Sequence, residues 1–577
     1  LERLRWRART DFSSHTLSAE VTLEFAAGRS GPVDLDTRGL DIESVRRGSA
    51  TDDTGIGAEL PFTLAEPEPI LGQRLRVELP EGERRLHIRY RTRPDASALQ
   101  WLSPAQTSGQ HPFLYSQCQA IHARSVIPLQ DTPRVRIRYE ATLEVPEALT
   151  ALMAADALSR KPLESGWVAF SFRIEEPIPP YLLAFAVGHL RSADLGPRSR
   201  VWAEPEVVDA AAYEFARVEE LVRSAEQLLG AYDWGRFDLL LLPAAFPYGG
   251  MENPKLTFLT PTLIAGDRSL VDVVAHELSH SWTGNLVSNA SAEHFWLNEG
   301  FTVFVERKIL AAVEGREAAE LHAAIGRRAL EDAFADFKDH PELTQLRTRM
   351  SGLDPDEVFS SVPYEKGCLF LRALEESVGE AAFAQFLKRY MARFRFQSIT
   401  TDEMLEFVRV ELPGALERID APSWIDAPGL PKSAPIPRSS KLDAIVALGQ
   451  QLPKAGQARA WSPAEWQVYL GQLKPPLSSE QLRELDEQFK LTASTNYEVL
   501  VGWLAVALRS GYAPAVSRTE KVLGQVGRSK YLRALYGALC SRAETRPLAR
   551  TWLDRYRASY HAIAVQRIEA FLQRQGA

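Results

Sequence analysis

Apolar and polar side chains alternate along the first third of the chain. AEVTLEF (19–25), RLRVELP (74–80), RLHIRYRT (85–92) and VRIRYEATLEV (135–145) all repeat with a period of two. That is the pattern of strands with one buried and one solvated face. YLLAFAVGHL (181–190), following Pro179-Pro180, adds a further strand-like run. The pattern predicts an all-β N-terminal domain over 1–188. From 208 to 229 the period becomes helical, in VDAAAYEFARVEELVRSAEQLL, and FDLLLLP (237–243) reads as a buried strand. Helical periods return near 303–314, 318–335 and 364–377. This mixed region predicts a central domain over 189–430.

The prolines of APGLPKSAPIPRSSK (427–441) mark a surface linker, placed at 431–439. Beyond it, LDAIVALGQQL, YEVLVGWLAVAL, KYLRALYGALC and AIAVQRIEAFLQRQ keep apolar positions three and four apart. They predict an all-helical C-terminal domain over 440–577. No strict repeat marks it as a solenoid. The fold class expected is multidomain α+β. A chain of 577 residues exceeds what one core supports, in keeping with that division.

Composition narrows the function classes. The chain holds 75 acidic and 67 basic residues, for a formal charge of -8. That balance lacks the basic footprint of a nucleic-acid binder. No apolar run is long enough to suggest a membrane span. Cys118, Cys368 and Cys540 are far apart and odd in number, so neither a disulfide framework nor a thiolate metal site is expected. They favour a reducing compartment, and a cytoplasmic location is expected. The chain begins at Leu1 rather than Met, which leaves a trimmed leading segment open.

The chemistry is concentrated in VVAHELSHSWTGNLV (273–287) and WLNEG (296–300). His276 and His280 are four residues apart, so on a helix they project from one face. Glu299 follows His280 after 18 intervening residues. Two imidazoles and a distant carboxylate form a three-ligand zinc set with one position left for water. One Zn²⁺ per chain is expected. Glu277 is left free to take a proton from the attacking water and pass it to the leaving amine. Glu306 lies seven residues after Glu299 and returns to the same side of a continuing helix. There it can orient a zinc histidine through the other ring nitrogen. A helix whose histidines merely pack, with Glu306 facing solvent, is the structural alternative.

FPYGGMENPKLTFLTPTLIAGD (246–267), HELSHSW (276–282) and WLNEGFTVFVER (296–307) resemble the M1 zinc aminopeptidases, in particular the leukotriene A4 hydrolase / aminopeptidase B branch. The likeness runs from QWLSPAQTSG and LYSQCQAIHARSVIPLQDTP to GRSKYLRALY, in one order along essentially the whole chain. It implies a thermolysin-like catalytic domain between the two others. Gly249, Gly250, Met251, Glu252 and Asn253 match the family's exopeptidase segment, in which Glu252 would bind the substrate's free α-amine. An anionic dead end favours an ammonium and excludes internal peptide segments. The segment is expected on a strand edge, where a peptide can be aligned by strand addition. The resemblance also places Gln119 at the amine or first carbonyl, Gln117 on the same wall, and Tyr248 in the first side-chain pocket.

Tyr364 matches the family's transition-state tyrosine, a phenol donating to the oxygen that becomes negative. Asp356 matches an aspartate at the inner end of the substrate cavity, near the leaving-side peptide or a cationic side chain. Arg528 and Lys530 match basic residues that grasp a substrate carboxylate. On a regular helix that spacing would make them diverge, whereas an extended or bent chain lets both reach the same inward space. Two positions depart from the branch's leukotriene-forming vertebrate members: Phe359 and Phe301 stand where those have tyrosine and histidine. The expected activity is zinc-dependent removal of the first residue from short peptides with free N-termini, by a monomer. A bifunctional aminopeptidase/epoxide hydrolase and a non-catalytic peptide-binding scaffold are the alternatives.

Overall fold

The computed structural model describes residues 1–28, 31–48, 57–358 and 360–576, except the side chain of residue 271. The period-two segments all pair. A seven-stranded sheet runs in the order Asp156–Pro162, Trp167–Ile178, Ile137–Pro146, Arg3–Asp11, Thr16–Glu24, Arg85–Thr92 and Leu40–Arg47. Arg3–Asp11 lies parallel to Ile137–Pro146 and antiparallel to Thr16–Glu24. Its inward positions Leu4, Trp6 and Ala8 are fully or nearly fully buried while the arginines between them face out. A four-stranded sheet then carries Thr150–Met153, Phe185–Gly188, Phe113–Ser116 and Leu99–Leu102. All four residues of Phe113–Ser116 are buried, so this sheet is covered on both faces. Gln117 leaves its end, with the backbone N–H donating to Ala98 O at 2.8 Å.

The central region starts its own five-stranded sheet at Arg191–Asp194. Its order continues through Arg200–Ala203, Asp238–Leu241 and Leu256–Leu259 to Gly250–Met251 at the edge. Two α-helices fill 208–229 rather than one, Val208–Glu214 and Val218–Leu229. Arg217 between them leaves helical geometry, and its guanidinium pairs with Glu220 at 2.8 Å. Two helices then carry the chemistry. Val271–Ser279 holds the first histidine and ends with His280 as its cap, and Trp296–Val313 runs buried from Trp296 to Glu306.

Two glycines set the approach of Trp296–Val313 to the next helix, Gly367–Val378. A Cβ on Gly300 would stand 2.7 Å from the Gly367 Cα, so only glycine lets these backbones touch. Phe301, next in line, stacks on Tyr390 with ring centres 4.9 Å apart, and Trp296 sits 0% exposed beside it. Burying each such ring contributes roughly 2–3 kcal/mol, which clamps the helix in place.

The N-terminal and central regions share one continuous apolar core, reaching from Leu4 to Ala434. The C-terminal helices form a second core of their own. Helix Arg316–Asp336 belongs to both, through Leu330 on one side and Leu321 on the other. Residues 431–439 contain no helix or strand and lie along that helix. There Arg327 Nη1 donates to Pro435 O at 3.1 Å, and Arg438 N donates to Glu320 Oε2 at 2.8 Å. Ser439 then caps the helix Ser440–Val446. Cys118, Cys368 and Cys540 are free and buried. Among the described residues, no helix is long and apolar enough to cross a membrane.

Candidate metal centre and substrate frame

His276, His280 and Glu299 converge, with ligand atoms all within 4.8 Å of one another. Glu299 Oε2 stands 3.4 Å from His276 Nε2 and 3.4 Å from His280 Nε2. Ligand bonds of about 2.0–2.1 Å around a tetrahedral zinc separate neighbouring ligand atoms by about 3.4 Å. The other ring nitrogens are already engaged. His276 Nδ1 lies 3.0 Å from Glu306 Oε2, and His280 Nδ1 lies 3.0 Å from Thr283 O. A carboxylate and a carbonyl only accept, so both Nδ1 atoms carry the proton and both Nε2 lone pairs face Glu299. Glu299 Oε2 is buried without a hydrogen-bond partner. An orphaned carboxylate oxygen facing two imidazole lone pairs fits a cation, and the chemistry of the donors fits zinc.

Electrostatics agree. Burial opposes a charged His276, yet the neighbouring Glu299 and Glu306 carboxylates raise its pKa well above the usual value. The carboxylates that favour a proton there favour a metal ion in its place. Burial pushes the Glu277 carboxyl up to about 7, against the pull of His276 and His280, and Glu252 and Glu299 add to the rise. A carboxylate poised there accepts and returns a proton readily.

The edge strand Gly250–Met251 passes directly over this centre. A Cβ on Gly250 would lie 2.4 Å from Glu277 Oε1, and one on Gly249 2.8 Å from Arg528 Nη2. The paired glycines therefore let backbone approach a carboxylate on one side and a guanidinium on the other. Glu252 follows at 4% exposure, with its Oε1 lacking a partner. Its main-chain oxygen is held by Asn285 Nδ2 at 2.7 Å. Burial raises the Glu252 pKa, and His280 opposes that rise. Met251 and Asn253 are buried beside it. Gln117 donates through Nε2 to Met251 Sδ at 3.2 Å and leaves its Oε1 without a partner, while Gln119 is half-buried.

Tyr364 sits in a single π-helical turn, Val362–Lys366, at the start of Gly367–Val378. Its ring stacks on His276 with centres 6.0 Å apart. Burial, then Glu299, Glu252 and Glu277, raise its pKa well above 10, so the phenol keeps its proton and remains a donor. Arg528 and Lys530 do not diverge. Arg528 is the extended cap of helix Ser529–Cys540 and Lys530 its second residue, and both reach Glu498, at 3.3 and 2.8 Å. Backbone bonds from Gly527 to Ala244 O and from Ser529 to Pro247 O dock this segment against the chain leading into Gly249.

Asp356 lies apart from the metal residues, tied to His122 at 2.7 Å and close to Arg567. Phe301 is committed to the core, and Phe359 lies outside the described residues. Sequence reasoning missed Thr302, whose Oγ1 lies 3.1 Å from His280 Nδ1, and also Glu498, His122 and Arg567. None carries a local motif. Each is joined to its partner only by the tertiary fold.

The cluster of His276, His280 and Glu299, with buried Glu277 and Glu252 beside it, is the donor set that a metallo-aminopeptidase needs. The family models agree. The peptidase M1 N-terminal domain matches residues 2–182, the peptidase family M1 domain residues 213–423, and the leukotriene A4 hydrolase C-terminal domain residues 461–572. The chain is 37% identical to leukotriene A-4 hydrolase of Xenopus laevis over 565 residues, covering 93% of this chain and 91% of that protein. It is also 37% identical to leucine aminopeptidase 2 of Sclerotinia sclerotiorum over 593 residues, covering 98% and 96%. Yeast leukotriene A4 hydrolase, solved with bestatin, superposes with a TM-score of 0.90 at 31% identity, covering 99% and 95%. The chain belongs to peptidase family M1, as a zinc metalloaminopeptidase with one catalytic zinc.

Proposed function

We propose that this chain, as a cytoplasmic monomer, removes the N-terminal residue from short peptides with a free α-amine. The observation that carries this reading is the buried, unpartnered Glu252 Oε1 beside the His276–His280–Glu299 centre. An ammonium satisfies it, and a substrate held there by its α-amine presents its first residue at the centre. His276, His280 and Glu299 would hold the zinc, with Glu306 orienting His276. Zinc, when bound, acidifies a water and polarises the scissile carbonyl.

Glu252 sets the register, with Gln117 and Gln119 beside it, and the edge strand Gly249–Asn253 aligns the peptide backbone. Glu277 takes the proton of the attacking water and delivers it to the leaving amine. Tyr364 donates to the carbonyl oxygen as it becomes negative, where a fixed donor does most for the rate. Arg528, with Lys530 behind it, meets the far carboxylate and so favours di- and tripeptides. The three free, buried cysteines support a reducing compartment. The change of sheet supports division between 1–188 and 189–430, and the separate C-terminal core supports 440–577 beyond a 431–439 linker.

The test is a panel of Ala-, Leu- and Arg-initiated dipeptides, tripeptides and longer peptides, each with an N-acetylated control, before and after chelation and zinc return. Release is expected only from free amines, fastest from short peptides, and only with zinc restored. Equal cleavage of acetylated peptides would remove the Glu252 role. Turnover of none would favour a binding scaffold. An allylic fatty-acid epoxide belongs in the panel, since relatives carry the name leukotriene A-4 hydrolase.

A further inference from the structure

Asp356 is held by groups from both other regions of the chain. His122 Nε2 lies 2.7 Å from Asp356 Oδ2. On its other side, His122 Nδ1 lies 2.8 Å from Ser97 Oγ and 3.2 Å from Arg38 Nη1. A guanidinium only donates, so Nδ1 accepts and Nε2 carries the proton. His122 therefore donates to Asp356 through Nε2–H. A guanidinium reaches Asp356 from the last helix, Ala562–Arg574. There Arg567 Nη2 donates to Asp356 O at 3.1 Å and lies 3.7 Å from its Oδ1. His561, on the same segment, adds no charge, because burial, with His122 next, lowers its pKa to about 3.

The Arg567 guanidinium also stands 5.9 Å from the centre of the Tyr248 ring. Tyr248 directly precedes the Gly249–Asn253 segment, and its phenol is an electrostatic neighbour of both Asp356 and Tyr364. Tyr248 thus joins the Asp356–Arg567 pair to the catalytic centre, on the wall where the first side chain of the substrate would lie.

We infer that Arg567 is a specificity-determining residue: by neutralising Asp356 behind Tyr248, it sets the first side-chain pocket for neutral residues and against lysine and arginine. This rests on the aminopeptidase reading above. A lone carboxylate in that wall would attract a cationic side chain. One already paired with a guanidinium offers no net charge, and the guanidinium itself repels a second cation. The C-terminal domain then acts on substrate choice at both ends of the peptide, through Arg567 at the first residue and Arg528 at the last.

The readout is the ratio of kcat/KM for Arg- and Leu-initiated substrates that are otherwise identical, measured on the zinc-loaded full chain. Wild type should favour Leu. Arg567→Leu should raise the Arg:Leu ratio by about tenfold or more, the factor that accompanies freeing a partly buried charge. Arg567→Lys, which keeps the cation, should stay near wild type. Adding Asp356→Asn to Arg567→Leu should abolish the gain. Arg567→Gln serves if the leucine variant does not fold, judged by its melting curve. An unchanged ratio in both Arg567→Leu and Arg567→Gln, with Leu still hydrolysed, would overturn the inference while leaving the aminopeptidase reading intact. Hydrolysis of neither substrate by wild type would sink the aminopeptidase reading, and the inference with it.

Discussion

Replacing Gly250 with alanine adds one methyl group where the edge strand crosses the general base. The new Cβ would meet Glu277 Oε1 at 2.4 Å and its Cδ and Cγ both at 2.5 Å. Ordinary carbon contacts begin near ~3.5 Å, so strand or carboxylate must give way by about 1 Å. Rotating the carboxyl alone does not relieve the clash, because Cγ is as close as the oxygen. Overpacking of this kind costs about 1–3 kcal/mol of stability. A 1 Å misplacement of a reacting group lowers the rate by about 100-fold. Gly250→Ala should therefore fold with a lowered Tm, keep its zinc and lose about 100-fold in kcat on a Leu-initiated tripeptide. Gly249→Ala is the internal comparison. Its Cβ meets the end of the longer Arg528 side chain at 2.8 Å, so its loss should fall mainly in KM for peptides with a free carboxylate. The measurements are zinc content, a thermal melt and full Michaelis curves for both variants. A zinc-loaded Gly250→Ala with kcat within threefold of wild type would refute the close-approach argument.

Tyr364→Phe keeps the ring on His276 and removes the donor. kcat should fall by about 10²–10³ with little change in KM, and an unchanged kcat would remove Tyr364 from the oxyanion role. Glu306→Gln weakens the hold on His276 Nδ1, and zinc affinity measured by chelator competition should drop about 10–100-fold. Arg528→Ala should lose the advantage of a tripeptide over its C-terminal amide; a retained advantage would exclude Arg528 as the anchor. Lys366 is fully buried and donates to Thr344 O and Ala427 O at 2.9 and 2.8 Å. Burial lowers its pKa to about 7, with Asp426 opposing. Between that value and the ordinary lysine value near ~10.4, the unfolded chain binds the proton that the folded chain gives up. Its contribution to stability therefore rises with pH across that window. The Tm of wild type relative to Lys366→Met should climb from pH 7 to 10, and a flat difference would mean that Lys366 stays charged when folded.

The periodic segments were legible because their partners hardly matter to the pattern. Arg85–Thr92 alternates whichever strand lies next to it, and Tyr497–Arg509 is apolar on a helical face before any neighbour is chosen. The break at Arg217 was not legible, since the apolar pattern continues through it and a tertiary packing choice ends the first helix. Helical spacing alone left open whether Arg528 and Lys530 reach one place; the extended cap residue decides it, turning Arg528 toward the Glu498 that Lys530 also meets.

By itself, the amino-acid sequence singled out the candidate metal ligands His276, His280 and Glu299 and the candidate base Glu277. The i, i+4 spacing of His276 and His280 is a property of one helix, whereas packing of the next helix brings Glu299 to them. The sequence also determined the order of β, mixed and helical regions. Only the tertiary structure decided what surrounds the metal ligands: Thr302 on His280, Gly250 against Glu277, Glu498 shared by Arg528 and Lys530, and Arg567 facing Asp356. Those pairs are separated by tens to hundreds of positions. Their contact depends on how sheets and helices pack, and no local pattern of side chains encodes it.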